Sequence, residues 1–306
     1  MKLVNLKVAS ELTGVTEKTI RNWIDENKIK KYEDDSGKIL VDKRAFLLQL
    51  PTVLTVFNQK GGVGKTSLSV LLGDYYEKKD QKILLVDFDQ QGNLSQTYFG
   101  YDELKDSPSL YDYFENKTPI SKIVKKYNEN IDILPANIKL SRKDNYDIDD
   151  LDMMKKDFIP IFKKYNIVII DCPPALNSFS KFGLMFANYV SIPVMPEPYS
   201  YDGLFEVLET INRLKKYIES FIDYFAIISI HEQRILKVQE IYVTEIKKEL
   251  GDKLLENSIP NFVGIKERGF QKQNIFDFYS KQDKSVSRIE SVLDEIDNII
   301  FNKRGE

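Results

Sequence analysis

The stretch Lys60-Gly-Gly-Val-Gly-Lys-Thr66 limits what this 306-residue chain can become more than any other. It follows an apolar, β-branched run, Val53-Leu-Thr-Val-Phe57, and opens a helical pattern from Lys65 to about Lys78. A strand, a glycine loop and a helix start, in that order, make a cradle for phosphate oxygens. The glycines let backbone N–H groups turn inward, and the helix N-terminus adds partial positive charge. In such a loop Lys65 reaches the outer phosphates and the Thr66 hydroxyl serves a divalent cation. Gly61, Gly62, Val63, Gly64 and Ser67 complete the candidate contacts. The usual loop has Gly where Gln59 stands; here it is missing, and a second lysine, Lys60, lies beside the gap. A glycine-rich turn with no ligand is the plainer alternative, and the order of elements argues against it.

From Pro51 onward the chain alternates strand-like and helix-like segments. Ile83–Val86, Ile131–Leu134, Ile167–Ile170, Tyr189–Ile192 and Phe225–Ile230 are near-continuous apolar runs. Helical stretches fall near 152–164, 177–188, 202–218 and 235–250. Strands without polar alternation belong to a mostly parallel sheet with helices on both faces, so the predicted class is α/β. In such sheets the ligand crevice lies at the carboxyl ends of the strands. Asp171 stands at one of these ends, where a carboxylate can hold Mg²⁺ through water. Asp87 and Asp89 end another; separated by one residue, they share a face if the strand continues. One could brace a metal shell and the other orient water, or both could cap the helix after Gly92.

Composition removes several classes. A single Cys (Cys172) allows neither an internal disulfide nor a Cys-rich zinc site, and a single His (His231) excludes a His-clustered metal centre. The 42% apolar and 30% charged content is that of a globular chain. No run of about 18 apolar residues spans a membrane, and the polar N-terminus lacks the core of a signal peptide.

The first 50 residues form a separate predicted domain, 1–50, with 51–306 as the second. Leu6 to Thr13 reads as a short helix, Gly14 breaks it, and Thr16 to Asn27 reads as a second helix with Ile20, Trp23 and Ile24 on one side. Ile29 to Val41 reads as a hairpin about Asp34-Asp35-Ser36-Gly37, and Lys43 to Leu50 as a third helix ended by Pro51. The unit resembles a winged helix-turn-helix of the MerR/excisionase type. That likeness makes Thr16, Lys18, Thr19, Arg21 and Asn22 candidates for DNA contact. Residues 1–50 carry 10 Lys+Arg and 8 Asp+Glu, a balance of +2, which leaves −5 for the rest of a chain totalling −3. A small helical dimerisation domain is the alternative.

The loop Lys60–Thr66, Asp87-Phe-Asp-Gln-Gln-Gly-Asn93 and Asp171-Cys-Pro-Pro174 together resemble the ParA/MinD family of P-loop ATPases. Ile133-Leu-Pro-Ala136, Ile192-Pro-Val194 with Glu197, and Ile259-Pro-Asn261 fit the ParA branch. The resemblance covers about residues 52–285 and implies ATP and Mg²⁺ as cofactors. It further implies a homodimer sandwiching two nucleotides, with Lys60 reaching the partner's phosphates. Lys65 and Thr66 match the phosphate lysine and metal ligand, Asp89 the residue that positions attacking water, Asp87 a metal-shell carboxylate and Asp171 the second motif's acid. Pro260 matches a segment that covers adenine, and Ser229 stands where many relatives have Asn near the base. Non-specific DNA binding is implied through clustered lysines, among which Arg268 and Lys272 are singled out from a set including Lys215, Lys216, Lys247, Lys248, Lys253, Lys266, Lys281 and Lys284. A ParB-like centromere-binding partner, a nucleoid-associated cytoplasmic location and no membrane contact complete the expectation. The amphipathic stretch Ser287–Phe301 is expected to pack on the sheet, because acids on its polar face would be repelled by an anionic bilayer. Partition of DNA is the leading functional reading. An ATP-tuned transcriptional regulator is the second, and a positioning ATPase for a protein cargo the third. A nitrogenase-iron-protein-like role fails for want of a second cysteine.

Overall fold

Among the described residues three apolar clusters form, one in the N-terminal part and one on each face of the sheet in the second part. A computed structural model describes residues 3–13, 15–42, 45, 49–142, 148–215, 223–229, 237–279 and 283–302. In the N-terminal part, strand β1 (Leu3–Asn5) leads into α1 (Leu6–Thr13), and α2 spans Glu17–Asp25. Thr16 caps α2, its hydroxyl accepting from the Thr19 N–H at 3.2 Å. Strands β2 (Lys31–Glu33) and β3 (Ile39–Asp42) form the expected hairpin. Its turn is fixed by Asp34, whose Oδ1 accepts from the N–H groups of Ser36 and Lys38, and by Gly37 at φ +78°. The three strands run antiparallel in the order β1-β3-β2. Leu6, Ala9, Val15, Ile20, Ile29 and Val41 make the buried core of this unit, with Trp23 and Ile24 packed against it. The edge strand β1 is too short to show in the hydropathy pattern. The expected helix Lys43–Leu50 lies largely outside the described residues, as does His231.

The second part is a seven-stranded sheet in the order β10-β9-β4-β8-β5-β7-β6. Its strands are β4 (Thr52–Val56), β5 (Ile83–Asp87), β6 (Lys125–Lys126), β7 (Ile131–Leu134), β8 (Ile167–Asp171), β9 (Tyr189–Val194) and β10 (Asp223–Ile228). All neighbours are parallel except β6 and β7. Every residue of β4, β5, β8 and β9 is buried, as the unalternating apolar runs require. Successive side chains still point to opposite faces, and this divides the core in two. Val53, Leu84, Val86, Val168 and Ile170 face a layer containing Phe114, Phe158 and Phe179, from α5 (Leu110–Asn116), α6 (Ile148–Phe162) and α7 (Ser178–Phe186). Leu54, Val56, Ile83, Leu85, Ile167 and Ile169 face α3 (Lys65–Lys78), α4 (Asn93–Phe99) and the helix Lys284–Asp297. Helices α3 and α4 approach closely at Gly73, where a Cβ would lie 2.5 Å from the Tyr98 hydroxyl. Helices α8 (Pro198–Leu214) and α9 (Lys237–Leu250) flank the β9–β10 side. Short helices α10 (Gly264–Gln271) and α11 (Ile275–Phe278) precede α12 (Lys284–Asp297).

Helix α12 is capped by Asp283, whose Oδ1 accepts from the Ser285 N–H at 2.7 Å. Val286, Ile289, Val292, Leu293 and Ile296 are buried in the second core layer. Its apolar stripe is therefore occupied by the protein, in line with packing on the sheet. Among the described residues no helix is long and apolar enough to cross a membrane. Both sheet edges are covered or short. Along β10, Leu255 N–H donates to Ala226 O and Ile259 N–H to Ile228 O, each at 2.9 Å. The opposite edge, β6, is two lysines long.

Candidate nucleotide site

The strands β4, β8 and β5 lie side by side, and their carboxyl ends carry the motifs. Strand β4 runs out into Asn58, which is buried. Its Nδ2 donates to Pro193 O at 2.8 Å, and its Oδ1 accepts from the Lys60 N–H at 2.9 Å. This side chain sets the direction in which the glycine loop leaves the sheet. Gly62 and Gly64 sit at φ +76° and +89°, in the left-handed region that side-chain-bearing residues avoid. Gly64 is the N-cap of α3 and supplies no side-chain cap, so the first N–H groups of α3 remain available to an anion. Val63 is buried, and its carbonyl accepts from the Ser229 hydroxyl at 2.6 Å. Ser229 thus braces the loop from the end of β10. Pro260 is buried just beyond Ile259, at the same end of the sheet.

Lys65 is almost fully buried, and its ammonium donates to Lys60 O at 2.8 Å. Burial lowers its pKa, and the Asp171 carboxylate opposes that shift. The Thr66 hydroxyl donates to Asp171 Oδ2 at 2.7 Å, and the Ser69 hydroxyl to Asp171 Oδ1 at 3.2 Å. Asp171 and Asp87 are register partners on β8 and β5, and both are completely buried. Burial pushes the Asp171 carboxyl up to about 7, against the bonds from Thr66 and Ser69 and the charge of Lys65. Asp87 is raised too, first by burial and then by Asp171. Two neighbouring buried acids favour a cation between loop and strands. A group of at least three His, Cys, Asp or Glu side chains able to hold a metal is absent among the described residues. Thr66, with Asp171 behind it, would hold a divalent cation here beside a phosphate. The loop amides, Lys65, Thr66 and Asp171 fit ATP with Mg²⁺ on these grounds.

The acidic turn differs from the expectation. Strand β5 ends at Asp87, so Asp87 and Asp89 do not share a strand face. Asp87 Oδ1 accepts from the Asp89 N–H at 3.1 Å, and Oδ2 from the Ser95 N–H at 2.9 Å and the Ser95 hydroxyl at 2.6 Å. Three of its roughly four acceptor positions are thus filled within the chain. Asp87 thereby anchors the turn. Asp89 is largely buried, and its Oδ1 accepts from the Gln91 N–H at 2.9 Å.

Lys60 forms an ion pair with Glu197 of the same chain. The DNA candidates divide. Lys18, Arg21 and Asn22 are exposed on α2, whereas the Thr16 and Thr19 hydroxyls bond each other at 3.0 Å at the helix start. Lys272 is half exposed, and its ammonium donates to Phe99 O at 3.1 Å. Arg268 is a correction. Its side chain is wholly buried and paired with Asp74 of α3 at 3.1 Å, so it faces no DNA. It lies over the Tyr98 ring at 3.7 Å and donates to Thr97 O at 3.2 Å. Lys215, Lys247, Lys248, Lys266 and Lys284 are exposed, while Lys253 pairs with Asp223 at 2.6 Å. Lys216 and Lys281 lie outside the described residues. Cys172 is buried, and burial pushes its thiol far up, which leaves it a packing residue. The sequence reading missed Asn58, Ser69 and Ser95; polar residues in otherwise apolar stretches beside each motif were the available signal.

A glycine loop opening a helix beside acidic strand ends, on a parallel sheet covered by helices, defines a P-loop NTPase of the α/β class. Residues 51–224 match the family model described as an AAA domain. The chain is 32% identical over 219 residues to the chromosome-partitioning ATPase Soj of Treponema pallidum, covering 70% of this chain and 85% of that one. It is 30% identical over 221 residues to the sporulation initiation inhibitor protein Soj of Bacillus subtilis, covering 70% and 86%. The chain belongs to the Soj/ParA family of P-loop ATPases. Among solved structures, a plasmid partition protein of Borrelia burgdorferi bound to AMPPNP superposes with a TM-score of 0.67 at 22% identity, covering 83% of this chain and 99% of that one. Cobyrinic acid a,c-diamide synthase of Mycobacterium smegmatis, with ADP and magnesium, gives 0.66 at 23%, covering 81% and 95%. At those identities the likeness is one of fold.

Proposed function

We propose that this chain is a DNA-partition ATPase. It binds ATP and Mg²⁺, pairs with a second copy across two nucleotides and loads onto DNA. It releases DNA after slow hydrolysis stimulated by a ParB-like centromere-binding partner. The observation that carries this reading is the second loop lysine. Lys60 starts the phosphate loop on a backbone set by Asn58, and its ammonium pairs with a half-exposed carboxylate, Glu197, at the site's edge. Exchanging Glu197 for a phosphate of a facing subunit leaves Lys60 charge-paired throughout, so dimer formation and charge neutralisation in the transition state become one event. In this scheme Lys65 and the loop amides bind the phosphates, and Thr66 and Asp171 would hold Mg²⁺, which would neutralise phosphate charge. Asp89 orients the attacking water, and Pro260 covers the base. The kinship with the chromosome-partitioning ATPase Soj of Treponema pallidum and the chromosome partitioning protein ParA of Caulobacter vibrioides supports the same reading.

Lys60→Ala tests it. The variant is expected to bind ATP, stay monomeric in sedimentation with ATP and hydrolyse it at a small fraction of the parent rate. Hydrolysis at the parent rate refutes the role in trans. DNA binding, measured with and without ATP, is expected to need ATP and to fall steeply with salt, as counterion release requires.

One observation favours a second reading, an ATP-tuned regulator of transcription. The N-terminal unit has its own apolar core and exposes Lys18, Arg21 and Asn22 on α2, as a winged helix-turn-helix would. The two readings are compatible in one chain divided at 1–50 and 51–306. The likeness to an amide-forming synthase does not supply a third, since it is one of fold.

A further inference from the structure

The segment Ile133-Leu-Pro-Ala136 is used by nothing in the proposed scheme, yet it abuts the acidic turn at two points. Gly92, at φ +65°, sits so close that a Cβ there would lie 3.0 Å from Ala136 O. The Ala136 N–H donates to Ser95 Oγ at 3.1 Å. Ser95 is completely buried. A hydroxyl has one proton, and since Ala136 N–H can only donate, Ser95 accepts there and donates its proton to Asp87 Oδ2. The other oxygen of Asp87 accepts from the Asp89 N–H. A continuous line of hydrogen bonds thus runs from the exit of β7 through one hydroxyl and one carboxylate to the backbone of Asp89. Gly92 N–H closes the turn on Asp89 O at 2.8 Å.

We propose that Ser95 is a positioning residue for hydrolysis, tying the Asp89 turn to the β7 exit through Asp87, so that the Asp89 carboxylate is held in one place relative to the phosphate loop. The proposal rests on the reading of Asp89 as the residue that orients water. A polar group at the end of such a line needs no contact with nucleotide; it acts by fixing the backbone from which the reacting geometry is built. Displacement on the ångström scale at such a site costs up to about 100-fold in rate. Removing the Ser95 hydroxyl leaves the Ala136 N–H buried without its acceptor and takes one of three donors from Asp87.

The test compares Ser95→Ala, Ser95→Thr, Asp89→Ala and the double variant in the full chain. Ser95→Ala is expected to bind ATP with affinity near that of the parent and to lose about 10- to 100-fold in single-turnover hydrolysis. Ser95→Thr, which restores the hydroxyl, is expected to recover most of that loss. The double variant is expected to hydrolyse no more slowly than Asp89→Ala alone, because the two act as a unit. In nucleotide-free protein, amide hydrogen exchange at Asp89 and Ala136 is expected to quicken by about 10-fold in Ser95→Ala, with Val86 and Ile170 unchanged. If Ser95→Ala does not fold, Ser95→Cys keeps the size with a weaker donor and carries the same comparison. Parent-rate hydrolysis in Ser95→Ala overturns the proposal, as does loss of ATP affinity as large as the loss of rate. Independent, multiplying losses in the double variant overturn it also. Parent-rate hydrolysis by Asp89→Ala would instead sink the water-orienting reading, and the exchange measurement would still decide whether Ser95 holds the turn.

Discussion

Replacing Arg268 with Ala removes one member of an ion pair whose two side chains are both wholly buried. The guanidinium makes three bonds to Asp74, with Nε 3.3 Å from each oxygen and Nη2 3.1 Å from Oδ1, and Nη1 donates to Thr97 O at 3.2 Å. It also covers the Tyr98 ring. Asp74 would stay behind in an apolar setting, with the Ile275 N–H at 2.9 Å and the Tyr98 hydroxyl at 3.2 Å as donors. Breaking a buried pair on one side costs about 3–5 kcal/mol. At about 2–4 °C per kcal/mol for a domain of this size, Tm should fall by about 6–20 °C. The loss should also depend on pH. Burial raises the Asp74 carboxyl pKa, and Arg268 is the main influence opposing that. Without Arg268 the folded-state value rises further above the unfolded one. Protonated Asp74 then carries no penalty, and the penalty grows as pH rises from the unfolded value through the folded one. The Tm deficit should therefore be smaller at about pH 5 than at about pH 8. Replacing both partners with apolar residues, Asp74→Leu with Arg268→Met, should recover much of the loss. Thermal unfolding and a DNA-binding assay decide the matter together. An Arg268→Ala variant with unchanged Tm and abolished DNA binding would refute the buried pair and restore Arg268 as a surface contact.

Two further outcomes are expected. Lys65→Ala should abolish nucleotide binding in equilibrium titration while leaving the circular dichroism spectrum of the parent, and retained affinity would remove the loop assignment. Deleting residues 1–50 should leave a folded ATPase that still binds DNA non-specifically in the presence of ATP. Loss of all DNA binding on that deletion, with ATP binding intact, would favour the regulator.

The sheet was legible because parallel strands covered on both faces must be apolar throughout. Runs such as Ile167–Ile170 and Ile83–Val86 can do little else in a chain this charged. The phosphate loop was legible because its glycines are needed for backbone shape, and Gly62 and Gly64 occupy the positive φ that explains them. Side-chain partnerships across long sequence separations were not legible. Arg268 and Asp74 are 194 residues apart. In sequence an arginine four residues from a lysine reads as surface charge. An acid in the apolar stripe of α3 was the one hint that a cation must come to meet it. Asp87 and Asp89 would share a strand face only if the strand continued, and β5 ends at Asp87, a boundary that hydropathy alone does not mark. Ser95 escaped notice because a serine after a helix start is ordinarily part of the helix and no more.

The cover over β10 has a consequence for how copies of this chain can meet. A bare strand edge recruits other strands, and a seven-stranded sheet with two open edges would be prone to stack end to end into fibres. Here the backbone at Ala226 and Ile228 already receives the 254–259 segment, and the far side tapers to two charged residues. The chain is guarded against uncontrolled sheet growth at both flanks. In the proposed dimer, association between copies would fall to the ends of the strands, where a small ligand decides whether contact is made, so assembly would be reversible and dosed by that ligand.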